Sequence, residues 1–244
     1  MSSTTTIPTS RISYPDLIEE DGRYYVTETQ KDIARVHELD AQLFEGLWSS
    51  FENRDVATAG LVLDLPVDGT MPGEVEMPVL PAFNQRDAGC ADYGTLSLRQ
   101  GFAIGLWLRL DALSPGQIML DNRTEDGHGL CLQTAVRGTL EIVLDDGRTQ
   151  NRWSCDPGLL RGSELHHVVV IVDGGPRIIT FIVDGRLCDG GDHRQFGWGR
   201  FSLHLRDVRG GDFLRIAPQL RGLRVYDRYL LTSEAIGNFR AGCA

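Results

Sequence analysis

Residues Gly101–Asp111 read GFAIGLWLRLD, and the spacing of their apolar side chains decides the fold. Phe102, Ile104, Leu106, Leu108 and Leu110 recur at every second position, while Trp107 and Arg109 fall on the opposite side. Successive side chains of a strand point to opposite faces, so these five share one face, whereas a helix would scatter them around its circumference. The stretch is a β-strand with one face committed to a core.

Runs of the same kind recur along the chain: Gly60–Leu65, Thr95–Arg99, Gln117–Asp121, Gly129–Val136, Thr139–Leu144, Gln150–Ser154, Leu165–Val172, Arg177–Val183, Phe201–Arg206 and Leu220–Tyr226. Asp146-Gly147, Asp173-Gly174-Gly175 and Asp184-Gly185 punctuate them with the residues that tight hairpin turns favour. Many short strands without a long intervening helix predict an all-β fold, a two-sheet antiparallel jelly-roll sandwich over residues 59–244. Two segments read as helical, Glu38–Phe51 and a turn capped around Thr232-Ser233-Glu234 that runs to Phe239, and Pro66–Pro81 reads as an irregular loop.

Residues 1–58 differ from the rest. Tyr14–Glu19 and Arg23–Thr29 predict a hairpin across Glu20-Asp21-Gly22, and Ala34–Leu39 a third strand. Three short strands bury too little to stand alone in water, so this N-terminal β-hairpin and helix appendage is expected to pack on the sandwich or to belong to something larger. Its exposed strand edges make a homo-oligomer through residues 10–40 an expectation.

Composition narrows the partners. The chain has 244 residues and a formal charge of −10, and Lys31 is its one lysine. Such a surface repels polyanions, so nucleic acid is a poor partner. No apolar run approaches the roughly 18–20 residues that span a bilayer, which argues against membrane insertion. The start, MSSTTTIPTSR, lacks the basic and apolar segments of a secretory signal, so nothing here directs export. Of the five cysteines, Cys90, Cys131, Cys155, Cys188 and Cys243, none forms a C-x-x-C pair. Buried free thiols and one or two disulfides are both compatible with that pattern.

Three segments in order resemble laminin-G-like domains of the concanavalin A-like lectin and glucanase jelly rolls. YGTLSLRQG before FAIGLWLRLDAL resembles the opening strands of such domains. SELHHVVVIVDGGPRIITFIVDGRLC resembles their W-H-H-V-A-V-x-x-D-G segment, with Leu165 in place of the tryptophan. LRGLRVYDRYLLTSEAIGNF is similar to their last strand and closing helix. The N-terminal RISYPDLIEEDGRYYVTETQKDIARVHELD resembles the last blade of sialidase-type β-propeller glycosidases or lyases, although the S-x-D-x-G-x-T-W box of that family is absent. The resemblance implies a polysaccharide-binding module, the C-terminal portion of a larger polysaccharide-active enzyme, extracellular in that context and otherwise cytoplasmic. It also admits a glycoside hydrolase or polysaccharide lyase in its own right, or a protein–protein adhesion module.

No strand carries the E-x-D-x-x-E pattern that would set an acid and a nucleophile about 5 Å apart on one face. Catalysis by this chain alone is therefore not expected. Arg123-Thr124-Glu125 matches the letters of a lyase strand motif, yet Asp121-Asn122 before it and Asp126-Gly127 after it predict a turn. His166 and His167 are neighbours on a strand and point to opposite faces, so they cannot grip one ion, and one of them is expected to be packed and the other exposed. In the N-terminal block Tyr14, Glu28, Lys31, Arg35 and His37 form a polar series read as paired surface charges.

Sugars are held by aromatic planes with polar side chains around them. Trp153, Trp198, Trp107 and Tyr93 are the candidate aromatics, with Arg109, Asn151, Arg152, Gln133 and the loop residue His128 as polar contacts, and the surface near Trp153 and Trp198 is the expected site. The resemblance also implies a calcium ion at a loop rim, for which Asp121, Asn122, Asp126, Asp207 and Asp212 are the candidate oxygen donors.

Overall fold

A computed structural model describes residues 13–30, 33–49, 52–67, 70–81 and 101–242. The chain divides into two compact units, Met1–Glu52 and Asn53–Ala244. Residues from Asn53 onward belong with the second unit: the Ala57 N–H donates to Asn238 Oδ1 at 2.8 Å, tying this stretch to the C-terminal helix.

In the first unit β1 (Ser13–Glu20), β2 (Arg23–Gln30) and β3 (Ile33–Leu39) form an antiparallel sheet in the order β1-β2-β3. Asp21 and Gly22 between the first two both have positive φ, 52° and 74°, the twist that closes a two-residue hairpin without splaying its strands. The helix α1 (Ala41–Ser49) follows. It starts later than the predicted Glu38, because Glu38 and Leu39 complete β3 opposite Tyr25 and Tyr24. Phe44 packs at 4.3 Å from the Tyr24 ring, and Trp48 at 5.8 Å. Glu28 holds Arg35 at 2.9 Å and His37 at 3.4 Å, the pairing that the alternating polar series predicts.

The second unit is an all-β sandwich of two antiparallel sheets. Its strands are β4 (Leu61–Leu65), β5 (Glu74–Glu76), β6 (Gly101–Arg109), β7 (Ile118–Asp121), β8 (Gly129–Ala135), β9 (Thr139–Asp145), β10 (Gln150–Ser154), β11 (Leu165–Asp173), β12 (Ile178–Val183), β13 (Arg186–Leu187), β14 (Gly199–Arg200), β15 (Phe213–Ile216) and β16 (Leu220–Tyr226). One sheet runs β10-β9-β8-β7-β15-β5, and the other β13-β12-β11-β6-β16-β4 with β14 added beside β12.

The alternation in β6 is observed as read. Phe102, Ile104, Leu106 and Leu108 are buried between the sheets, where they join Leu120, Leu132, Ile142, Phe181 and Val225 in the main core. The reverse face of β6 is buried as well, because the helix α2 (Thr232–Ala241) lies over it. Ala103, Val169, Ile171, Ile182 and Tyr226 form a second apolar cluster there with Leu230, Ala235 and Ile236. Glu234 anchors the start of α2 by accepting the Leu231 N–H at 2.8 Å and both terminal nitrogens of Arg228.

Two elements depart from the sequence reading. Phe201–Arg206 is a turn-bearing loop in which Ser202 Oγ accepts the His204 N–H and the Leu205 N–H donates to Ser202 O. Phe201, Leu205 and Val208 plug the core from this loop at spacings of four and three rather than two. Within the stretch expected to be irregular, β5 pairs with β15 between Pro72 and Pro78, at a sheet edge where proline is tolerated. The predicted strand Thr95–Arg99 lies outside the described residues.

Candidate functional site

Three loops of the second unit meet at one rim of the sandwich and enclose a cleft of about 470 Å³. The β7–β8 loop contributes His128, the β9–β10 turn contributes Asp146, Arg148 and Thr149, and the loop before β15 contributes Leu203, His204, Arg206 and Asp207. That volume lies within the range of about 300–1,000 Å³ typical of small-ligand sites.

The cleft is braced from below. Asp146 Oδ1 accepts the backbone N–H groups of Arg148 at 3.0 Å and Thr149 at 2.7 Å, and its Oδ2 accepts that of Arg206 at 3.1 Å. Burial works against ionisation of Asp146, and these three donors override it, holding the carboxyl below the usual carboxylate range. One carboxylate thus fixes the hairpin turn to the 201–207 loop. From the start of β10, Asn151 Oδ1 accepts the Ser202 N–H at 2.9 Å and steadies the same loop. On the third side Asn122 Oδ1 accepts the Leu130 N–H and Asn122 O the Gly211 N–H, so the β7–β8 loop is pinned as well. His128 Nε2 approaches Asp207 Oδ1 at 3.4 Å across the cleft, and the backbone N–H of Arg209 donates to the same oxygen.

His128 and Asp207 are the residues of the sequence reading that this cleft brings together. Trp153 instead points inward beside the core. The Arg194 guanidinium lies 4.1 Å from the ring centroid, Gly199 lies against the ring, and Nε1 donates to Gly197 O at 3.3 Å. Trp107 is buried, with the rings of His167 and of Phe239 on α2 at 4.7 Å and 6.0 Å. Asn151 and Arg152 point to opposite sides of β10, as neighbours on a strand must. Arg152 and Gln133 both reach Glu141 Oε1 at 3.3 Å on the outer sheet face. Arg109 is exposed on the other sheet. Tyr93 lies outside the described residues. Trp198 keeps some exposure, stacked on the half-exposed Phe196 at 5.0 Å with Arg200 nearby, and this pair is outside the cleft lining.

Of the expected calcium donors, Asp121 and Asp126 are engaged by neighbouring side chains. Both Asp121 oxygens accept from Arg123, at 2.8 and 3.1 Å, and Arg215 adds a third contact at 3.1 Å. Burial opposes ionisation of Asp121, but the bonds from Arg123 and the charge of Arg215 prevail and keep its carboxyl low. Asp126 is engaged by the Thr124 hydroxyl. Among the described residues no three acidic, histidine or cysteine side chains gather to hold a metal ion.

The paired histidines also differ from expectation, since neither is exposed. His166 Nδ1 meets Asp184 Oδ2 at 2.7 Å, and the other Asp184 oxygen accepts the His167 N–H. Cys131, Cys155 and Cys188 are free and buried, and burial pushes the Cys155 thiol up to about 12. Cys90 and Cys243 lie outside the described residues.

Six cleft residues escaped the sequence reading: Asp146, Arg148, Thr149, Leu203, His204 and Arg206. The Asp146-Gly147 turn was legible, but its partner loop reads as a strand, and a strand offers no rim.

Two stacked antiparallel sheets with a helix closing one outer face define a jelly-roll sandwich of the lectin type. The profile of the concanavalin A-like lectin/glucanases superfamily matches residues 84–236, more than half of the chain. The chain belongs to this family. No curated protein matches it in sequence. Among solved structures it is similar to the CBM40 module of the Ruminococcus gnavus IT-sialidase bound to α2,3-sialyllactose. The identity there is 14%, the match covers 72% of this chain and 97% of that one, and the TM-score is 0.46. Trypanosoma rangeli sialidase is similar at 18% identity over 96% of this chain and 45% of that one, with a TM-score of 0.43. The binding domain of botulinum neurotoxin serotype D is similar at 12% identity over 61% of this chain and 38% of that one, with a TM-score of 0.46.

Proposed function

We propose that this protein is a carbohydrate-binding module that holds its glycan in the rim cleft. The observation that supports this reading is the cleft lining: donors and acceptors from His128, Arg148, Thr149, His204, Arg206 and Asp207 converge around one exposed apolar side chain, Leu203. Hydroxyl-rich ligands are gripped by such a mixture, with planar polar groups on the hydroxyls and apolar surface on the C–H faces of the ring. A cleft braced through Asp146, Asn122 and Asn151 is also organised before a ligand arrives, which lowers the ordering cost of binding.

The likeness of the N-terminal unit to a propeller blade supports placing the module at the C-terminal end of a larger polysaccharide-active enzyme, with an extracellular role there. A glycan array combined with a polysaccharide-depolymerisation assay tests the reading. Binding without turnover is expected, and His128→Ala should weaken the glycan found by about tenfold, equivalent to about 1.4 kcal/mol. Turnover of any polysaccharide would make the chain an enzyme in its own right. An array on which no glycan binds would remove the carbohydrate reading.

A further inference from the structure

We infer that the ligand of the rim cleft is an acidic sugar whose carboxylate is received by Arg148 and Arg206. The inference rests on the carbohydrate reading of the same cleft and names the class of glycan.

Arg148 and Arg206 are the two arginines of the cleft lining. Acidic residues outnumber basic ones, 34 to 24, and several arginines of the second unit are held by carboxylate partners. Arg123 and Arg215 pair with Asp121, Arg152 with Glu141, Arg194 with Asp156, Arg224 with Asp64 and Arg228 with Glu234. Arg148 and Arg206 line the cleft and are exposed, and the only bonds seen for them among the described residues are those of their backbone N–H groups.

The acids of the cleft already hold other groups. Asp146 accepts three backbone N–H groups, two of which belong to these same arginines. Asp207 is occupied by His128 and by the Arg209 N–H. Both guanidinium groups therefore start from backbone points fixed on a single carboxylate, and both line one space. A guanidinium presents its N–H donors in a planar fork that matches a carboxylate bidentately and gives charge-assisted hydrogen bonds, stronger than those to a neutral hydroxyl. Two such forks around one cleft favour a sugar that brings a carboxylate over a neutral one.

The experiment is isothermal titration calorimetry on the full chain with trigalacturonate, 3′-sialyllactose and the best acidic glycan of the array. Lactose, galactotriose and the methyl ester of trigalacturonate serve as neutral counterparts. At least one carboxylated glycan should bind at least tenfold more tightly than its neutral counterpart. Arg148→Gln and Arg206→Gln should each remove most of that difference while the melting temperature stays unchanged, as expected for exposed side chains. The preference should also shrink when salt is raised from low to high concentration. Equal binding of acid and neutral forms would overturn the inference and leave the carbohydrate reading standing, as would wild-type affinity for the acid in both variants. A failure of every glycan on the array to bind would remove both.

Discussion

Trp153 shows how a single residue can carry a false promise. In sequence it sits between Asn151-Arg152 and Ser154 on a polar strand, with nothing to say which of its faces is open. In the structure Arg194 covers the ring while also bonding Asp156 at 2.6 Å and Ser154 O at 2.8 Å, so the indole is the floor of a clamp between β10 and the 188–200 loop. Trp153→Ala is therefore expected to lower stability by about 3 kcal/mol, in line with other deletions of large packed aromatics. Urea unfolding followed by circular dichroism would measure it. Trp198→Ala, which removes a ring that does not pack against the main core, should cost less than half as much. Equal losses in the two variants would mean that Trp153 is not the more deeply packed of the two. The strand alternation made the inward face of β6 legible, because five apolar residues agree on it. A lone tryptophan on a polar strand has no such agreement around it, and its partners come from a loop some forty residues away.

At the scale of elements, the strands that could be read were those long enough to show a period. β8, β9, β11 and β12 repeat core residues at every second position and lie where expected. β5, β13 and β14 have two or three residues each and leave no periodic trace. They exist because longer neighbours offer them an edge. β14 depends on a close approach: Gly199 lies so near the Trp153 indole that a methyl group in place of its α-hydrogen would run into the ring. Gly199→Ala should push the loop off β10 and cost about 2 kcal/mol, within the range for overpacking a filled site. Differential scanning calorimetry would register it as a lowered melting temperature. Gly158→Ser, in an open turn where nothing crowds the added atom, is the contrast that separates crowding from the loss of a glycine as such, although its positive φ brings a small strain of its own. The rim cleft was illegible for a related reason. FSLHLR has the composition of a strand, and only the Asn151 and Ser202 bonds that fold it into a turn show its side chains to be a cleft wall.

Across the whole molecule, one buried ring links the sheet with the helix and makes stability depend on pH. His167 on β11 is 2% exposed, packed on Trp107 of β6 and Phe239 of α2, and its Nδ1 has no hydrogen-bond partner among the described residues. Burial, with the charge of Arg224 added, pushes its pKa down to about 4, against a weaker upward pull from Asp184. An unfolded histidine titrates near 6.5. Between these two values the unfolded chain binds a proton that the folded one refuses, so the unfolded state gains stability as pH falls. The contribution is complete above about pH 6.5 and is lost on the way to pH 4, at up to about 1.4 kcal/mol per pH unit and about 3 kcal/mol in total. Asp121, Asp146 and Glu234, whose carboxyls are held low in the folded state, add their own losses only below the ordinary carboxylate range. Measurements at pH 7.5, 6.0 and 5.0 therefore lie in the histidine range, above most of these carboxylate losses. In urea unfolding the wild type should lose about 2 kcal/mol between pH 7.5 and 5.0 on this account. His167→Gln should start less stable at pH 7.5, having lost the packed ring, and should show a loss smaller by about that amount over the same interval. If the two proteins decline in parallel, the buried imidazole is not what the folded state protects from the proton.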